Sequence, residues 1–109
     1  FKGALTENYC MTELKSAGIE SYFWRTKADA EIDFLTDYEG VLLPIEVKSA
    51  DNTKAKSLHI FCSRYSPKMA VKNSLKNVGD NQDCETHVWN IPLYELFRLK
   101  DYVKFEMKL

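Results

Sequence analysis

The sequence predicts an α/β domain in which helices flank a mixed central sheet, in the order α-β-β-β-α-β-β-α. Two kinds of pattern support this fold class. Apolar and charged residues alternate over 30–35 and 41–48, which is typical of paired strands. Apolar residues recur at helical spacing over 3–17 and 54–65, and a strand at 69–72 follows the second helix. The β-α-β order around that helix favours a parallel strand pair.

The composition is that of one globular domain spanning residues 1–109. Apolar residues make up 45% and charged residues 28% of the chain, and the net charge is −1. The three cysteines form no CxxC and cannot all pair, so we expect reduced thiols in a cytoplasmic protein. The two histidines show no zinc-ligand spacing and are interpreted as surface or half-buried side chains. No apolar run reaches the ~20 residues of a membrane span.

The same patterns divide the chain into elements. In chain order these are a helix over 3–17, a strand over 21–25, hairpin strands over 30–35 and 41–48, a helix over 54–65, strands over 69–72 and 85–90, and a short helix over 92–99. Residues 77–83 are predicted to be a polar loop. The final residues 101–109 are consistent with an edge strand, an exposed tail or a contact with a partner segment.

The predicted hairpin separates charged from apolar residues, because successive side chains of a strand point to opposite faces. The apolar set is Ile32, Phe34, Val41, Leu43, Ile45 and Val47, and the charged set is Glu31, Asp33, Glu46 and Lys48. A two-residue turn at 39–40 sets Asp33 opposite Glu46, although glutamate is unusual at the first position of a type I′ turn. A four-residue turn at 37–40 sets Glu31 opposite Glu46 and keeps the same faces.

Two facing carboxylates beside a lysine have two interpretations. Asp33 and Glu46 could bind a divalent cation such as Mg²⁺, while the Lys48 ammonium stabilises phosphate charge or positions a water. Alternatively, the strand face is solvated and Lys48 pairs with Glu31. Without metal, like-charge repulsion should raise the pKa of at least one of the two acids, unless Lys48 offsets it.

Asp33, the run Glu46-Val47-Lys48, and Glu7 on the preceding helix resemble the core of the restriction-endonuclease-like PD-(D/E)XK superfamily. More narrowly, the chain resembles a C-terminal domain carried by many bacterial and archaeal AAA+-type ATPases. The segments of this resemblance are Gly3-Ala4-Leu5-Thr6-Glu7-Asn8, Tyr22-Phe23-Trp24-Arg25, Ala30-Glu31-Ile32-Asp33-Phe34 and Pro44-Ile45-Glu46-Val47-Lys48-Ser49, with shorter matches at Lys56-Ser57-Leu58, Ser74-Leu75-Lys76-Asn77 and Ile91-Pro92-Leu93-Tyr94. One departure from the superfamily pattern is that Ile32, and not proline, precedes Asp33.

The resemblance implies a restriction-endonuclease-like fold and a role for each matching residue. Asp33 and Glu46, supplemented by Glu7, would bind Mg²⁺, and Asp33, Glu46 and Lys48 would form the catalytic set of a nuclease. It also implies an N-terminal ATPase module, and because the chain begins with Phe1 we expect it to be the C-terminal piece of such a protein.

A basic segment follows the hairpin and indicates a contact with nucleic acid. Seven basic residues and one acid lie between Lys48 and Lys76, and Lys54, Lys56 and Lys72 are the candidate phosphate contacts. A solvated helix face is the alternative. The sequence and the resemblance therefore leave two alternative functions. The first is a metal-dependent phosphodiesterase acting on DNA or RNA. The second is an inactive nuclease-like module for partner contact, regulation or oligomerisation of the ATPase.

Overall fold

A computed structural model describes residues 2–27, 30–48 and 56–108, with side chains from residue 5 onward. It shows an α/β domain with a mixed six-stranded sheet and three α-helices in this described part. The elements are α1 (Lys2–Ser16), β1 (Ser21–Arg25), β2 (Glu31–Tyr38), β3 (Val41–Val47), α2 (Lys56–Tyr65), β4 (Met69–Ser74), β5 (Gly79–Asp83), β6 (Thr86–Pro92), a 3-10 helix (Leu93–Arg98) and α3 (Leu99–Met107). Among the described helices, none has the length and apolar character needed to cross a membrane.

The strands form one sheet in the order β1-β2-β3-β4-β6-β5. The centre is parallel, because β4 pairs in parallel with both β3 and β6, and the remaining pairs are antiparallel. The predicted parallel pairing of the strands before and after α2 is therefore confirmed. The sheet leaves β1 and β5 as its two edge strands.

Helices cover both faces of this sheet, and each face has its own apolar core. The larger core lies under α1, the 3-10 helix and α3, and its buried members are Cys10, Leu14, Ile19, Phe34, Leu43, Ile45, Met69, Val71, Ile91, Leu96, Leu99 and Val103. The smaller core lies under α2, and its buried members are Ile32, Leu58, Phe61, Cys62, Ala70 and Val88. Burial of each large aliphatic side chain stabilises the fold by roughly 1.5–3 kcal/mol, so the two cores hold the sheet rigid beneath the candidate site.

The central hairpin has the two-residue turn. Phe34 faces Ile45 and Tyr38 faces Val41, so the turn consists of Glu39 and Gly40. The paired register ends at Phe34 and Ile45, one residue before Asp33 and Glu46 would face each other. Both turn residues have positive φ, +52° and +81°, as a type I′ turn requires. The four-residue alternative is therefore wrong, and the turn tolerates glutamate at its first position.

One part of the predicted face assignment is wrong, because a β-bulge interrupts β2. Tyr22 pairs with Leu35 and Trp24 pairs with Ile32, so that two residues of β2, Asp33 and Phe34, oppose a single residue of β1. The extra residue reverses the alternation. Ile32 therefore packs in the core under α2, whereas Phe34 packs in the core under α1. The bulge occurs at the candidate metal ligand itself.

Two other segments differ from the sequence prediction. Residues 77–83 were expected to form a polar loop, but 79–83 form β5, an edge strand made only of glycine and polar residues. The last residues form α3, and none of the three alternatives for 101–109 included a helix. The apolar residues at 103, 105 and 107 mimic the alternation of a strand, yet Phe105 is 73% exposed, and the buried residues Leu99 and Val103 are one helical turn apart.

Candidate metal and active site

The candidate site lies where β2 begins and β3 ends. Beyond the last ladder pair, Phe34 with Ile45, the backbone N–H of Val47 donates a hydrogen bond of 3.0 Å to Asp33 Oδ2. The Asp33 side chain thus accepts a hydrogen bond from a backbone N–H at the open end of the hairpin. The bulge and this hydrogen bond fix the Asp33 carboxylate beside the end of β3, where Glu46 and Lys48 are.

Glu46 is the most unusual residue of the site. Its neighbours Ile45 and Val47 pack in the core under α1, so strand alternation directs the Glu46 side chain to the other face of the sheet. The residue is only 6% exposed. Its Oε1 lies 3.6 Å from Lys48 Nζ, whereas its buried Oε2 has no hydrogen-bond partner. A buried polar atom without a partner costs about 1–3 kcal/mol, and more when charged.

The electrostatics of Glu46 agree with the expectation that paired carboxylates do not ionise normally. Burial, followed by the nearby charge of Asp33, raises the pKa of Glu46 from 4.5 to about 8. Lys48 opposes this increase by attraction and hydrogen bonding. The direction of this shift agrees with the predicted rise, but its largest cause is desolvation, and the predicted repulsion by Asp33 comes second.

Glu7 brings a third carboxylate to the same place from α1. Its side chain is exposed, yet desolvation raises its pKa, and a hydrogen bond and charge repulsion from Asp33 raise it further. One turn further along α1, burial raises the pKa of the Cys10 thiol to about 12, with additional repulsion from Asp33 and Glu7. Asp33 thus interacts with Glu7 and with Glu46.

The donor set fits a hard divalent cation in its chemistry. Carboxylate oxygens are the ligands that Mg²⁺ prefers, and the unpartnered Oε2 of Glu46 is an oxygen that such an ion would satisfy. Among the described residues, the ligand atoms of His59, Asp83 and Cys84 all lie within 4.8 Å of one another, whereas those of Glu7, Asp33 and Glu46 do not. Asp33 and Glu46 are therefore the primary candidate ligands, and Glu7 is a supplementary one.

The two described candidates for phosphate contact lie on different elements. Lys54 lies outside the described residues. Lys56 is the exposed first residue of α2. Lys72 is half-buried on β4, directly beside Glu46 in the parallel ladder. Of the basic residues after the hairpin that are described, Lys48 and Lys72 are therefore the ones that the sheet places next to Glu46.

Sequence reasoning missed two polar clusters. Asn73 is fully buried, donates to the carbonyls of Ile91 and Pro92, and accepts a hydrogen bond from the Cys10 thiol. His59 pairs with Asp83 at 2.7 Å between Nδ1 and Oδ1. The second cluster could not be found without β5, because Asp83 lies in the segment that was interpreted as a loop.

Comparison with known proteins assigns the chain to a family but not to an activity. No curated protein matches it. The family model described as Domain of unknown function (DUF4143) matches residues 2–96, which include every element from α1 to β6 and the residues of the candidate site. The chain therefore belongs to the DUF4143 family.

Proposed function

We propose that this domain is a metal-dependent phosphodiesterase of the restriction-endonuclease-like PD-(D/E)XK type that acts on DNA or RNA. In this proposal it is an accessory domain of an AAA+-type ATPase. The observation that carries the proposal is the buried Oε2 of Glu46, which has no hydrogen-bond partner and lies in a cluster with Asp33 and Lys48.

A structural role alone gives a poor account of Glu46. A glutamine or an apolar residue at this position would avoid a buried carboxylate whose pKa is raised to about 8. A bound cation removes the difficulty, because it favours the ionised carboxylate and satisfies the unpartnered oxygen. Perturbed acids of this kind cluster at functional sites, which supports the proposal.

Each residue then has a separate task. Asp33 and Glu46 hold the cation, and Glu7 adds a third carboxylate near Asp33. A bound Mg²⁺ would supply positive charge to the phosphate oxygens and lower the pKa of a coordinated water. The Lys48 ammonium, half-buried and 3.6 Å from Glu46 Oε1, would stabilise negative charge that develops on the phosphate.

Lys72 supports nucleic acid as the substrate class. Its position beside Glu46 on the neighbouring strand puts a second cation near the proposed site. Phosphate backbones are held mainly by such lysine and arginine contacts. Lys56, exposed at the start of α2, is a further candidate phosphate contact. The overall charge of −1 favours a local contact and not general adhesion to nucleic acid.

The test is a cleavage assay with single- and double-stranded DNA and RNA in Mg²⁺ or Mn²⁺, on this chain and on the full-length protein that contains it. Asp33→Asn should abolish metal binding and cleavage. Lys48→Met should retain the metal and lose cleavage, because its proposed role is on the transition state. The matched controls are Glu31→Gln, an exposed acid on the same strand, and Lys104→Met, an exposed lysine on α3. Cleavage that survives Asp33→Asn, or absence of metal binding in both proteins, would contradict the proposal.

The second candidate function, an inactive interaction module, is favoured by a different observation. Three aromatic side chains of the C-terminal helices, Tyr94, Phe97 and Phe105, are 62%, 64% and 73% exposed. Exposed apolar surface of this kind is common at protein–protein contacts. If Phe97→Ser and Phe105→Ser change the association state of the full-length protein while Asp33→Asn leaves every measured property unchanged, this function replaces the first.

A further inference from the structure

A second cluster of metal-ligating side chains lies at the opposite edge of the sheet from the hairpin. His59 comes from α2, and Asp83 and Cys84 come from the end of β5 and the turn that follows it. One ligand atom from each of the three lies within 4.8 Å of the other two. The cluster is thus built from segments about 25 residues apart, which is why it has no signature in the sequence.

We propose that His59, Asp83 and Cys84 form a binding site for a borderline transition-metal ion, with Zn²⁺ as the best match. The inference does not rest on the proposed phosphodiesterase function, since it uses none of the same residues.

The ligand chemistry selects the class of ion. Zn²⁺ accepts imidazole nitrogen, thiolate sulfur and carboxylate oxygen together, whereas Mg²⁺ and Ca²⁺ prefer oxygen ligands alone. Three protein ligands leave the fourth tetrahedral position for water or another molecule. The exposure of the His59 side chain, 61%, and of Cys84 keeps that position accessible.

The spacing of the ligand atoms requires little rearrangement. Zinc bonds of ~2.0–2.3 Å place tetrahedral ligand atoms roughly 3.3–3.7 Å apart. The present His59 Nδ1 to Asp83 Oδ1 distance of 2.7 Å is that of a hydrogen bond, so this pair must open by less than about 1 Å. The other separations must close by about 1 Å from their upper limit of 4.8 Å. Side-chain rotation on the surface provides displacements of this size.

The position of Cys84 supports a role beyond packing. It is an exposed free thiol with φ of +53° in a two-residue β-turn between Asp83 and Thr86. The other two cysteines, in contrast, are buried in the two cores.

A second histidine–carboxylate pair, His87 with Asp80, serves as a matched control because it includes no thiol. His87 Nε2 lies 2.6 Å from Asp80 Oδ2 on the same pair of strands, β5 and β6. In the described part of the chain this pair belongs to no group of three ligands at metal-binding spacing. A site that depends on the assembled trio should therefore respond to changes at 59 and 84 and not to a change at 87.

The experiment is a titration of the reduced full chain with Co²⁺, which reports thiolate ligation by a charge-transfer absorption band, followed by competition with Zn²⁺. We expect a thiolate band that saturates with one equivalent of thiolate-bound Co²⁺ and that Zn²⁺ abolishes. Cys84→Ser should remove the band, and His59→Gln should weaken binding by more than about 10-fold, a loss comparable to that from changing a ligand's supporting partner. His87→Gln should give the same thiolate band and the same Zn²⁺ competition as the unmodified chain.

Two results would overturn the proposal. The first is absence of a thiolate band in the unmodified chain. The second is a band or a Zn²⁺ affinity that is unchanged in Cys84→Ser or in His59→Gln, since binding would then belong to another thiol or another site. Thermal melting of Cys84→Ser and His59→Gln without metal, which should match the unmodified chain because these two side chains are exposed, separates loss of the site from loss of the fold.

Discussion

Replacing Glu46 with glutamine should make the metal-free domain more stable at alkaline pH. The folded-state pKa of Glu46, about 8, lies above the ordinary value of 4.5. Between these two pH values the folded chain holds a proton that the unfolded chain has already released. The stability that Glu46 contributes is therefore present at low pH and is lost as the pH rises through this window. Glutamine is a neutral residue of the same shape and has no proton to lose.

The size of the effect follows from the difference between the two pKa values. At about 1.4 kcal/mol per pH unit, the rise from 4.5 to about 8 corresponds to a loss of about 3 to 5 kcal/mol from the free energy of unfolding between pH 4.5 and pH 9. Because a small domain has a total stability of only about 5–15 kcal/mol, this is a large fraction. Near pH 5 the variant and the unmodified chain should differ little.

The assay is urea denaturation of both proteins in a chelating buffer from pH 5 to pH 9, repeated with Mg²⁺. Other titrating groups cancel in the difference between the two curves. Without metal, the free energy of unfolding of Glu46→Gln should exceed that of the unmodified chain by an amount that grows as the pH rises. The exposed control Glu31→Gln should stay within about 0.5 kcal/mol of the unmodified chain. Added Mg²⁺ should restore stability to the unmodified chain alone. Parallel curves for Glu46→Gln and the unmodified chain would refute the assignment of a buried, unpartnered carboxyl.

Three further predictions test other parts of the structure. Asp33→Asn should reduce the loss of unfolding free energy at alkaline pH in the same denaturation series, because it removes a charge that raises the pKa of Glu46. An unchanged dependence of the unfolding free energy on pH would show that desolvation alone raises this pKa. Asn73→Ala should lower the free energy of unfolding by about 2–4 kcal/mol through the loss of buried hydrogen bonds. The exposed control Asn81→Ala should change it little, and equal effects of the two would contradict this role. Hydrogen bonding to one carboxylate, and then to a second, raises the pKa of His87 above 6.5, so His87→Gln should destabilise the domain more below pH 6 than above pH 8. An NMR titration that gives a pKa below 6.5 for His87 would contradict this.

Part of the site could be predicted from the sequence, because local rules determine it. The requirement that apolar residues share a face selects an even turn, and the structure has the two-residue turn at Glu39 and Gly40. That register ends at Phe34 and Ile45, which brings the next residues, Asp33 and Glu46, close enough to interact. The burial of Glu46 could not be deduced in this way, since it depends on the elements that pack around β3 and not on β3 itself.

The errors have specific physical causes. Apolar residues at 32, 34 and 35 break strict alternation, and this irregularity is the signal of the bulge that the face assignment overlooked. The strand β5 has no apolar residue, because as an edge strand it depends on hydrogen bonds to β6 and not on core packing. Without β5, the cluster of His59, Asp83 and Cys84 could not be recognised, since two of its members lie at the end of that strand.

The most direct measurement of the central claim is anomalous diffraction from crystals of the domain soaked with Mn²⁺ near pH 8, where Glu46 begins to ionise. The proposed function predicts one or two anomalous peaks at bonding distance from carboxylate oxygens of both Asp33 and Glu46. Crystals of Asp33→Asn soaked in parallel should show no peak there. A map from the unmodified chain without a peak at these two carboxylates, at a Mn²⁺ concentration that saturates the protein in solution, would contradict the claim.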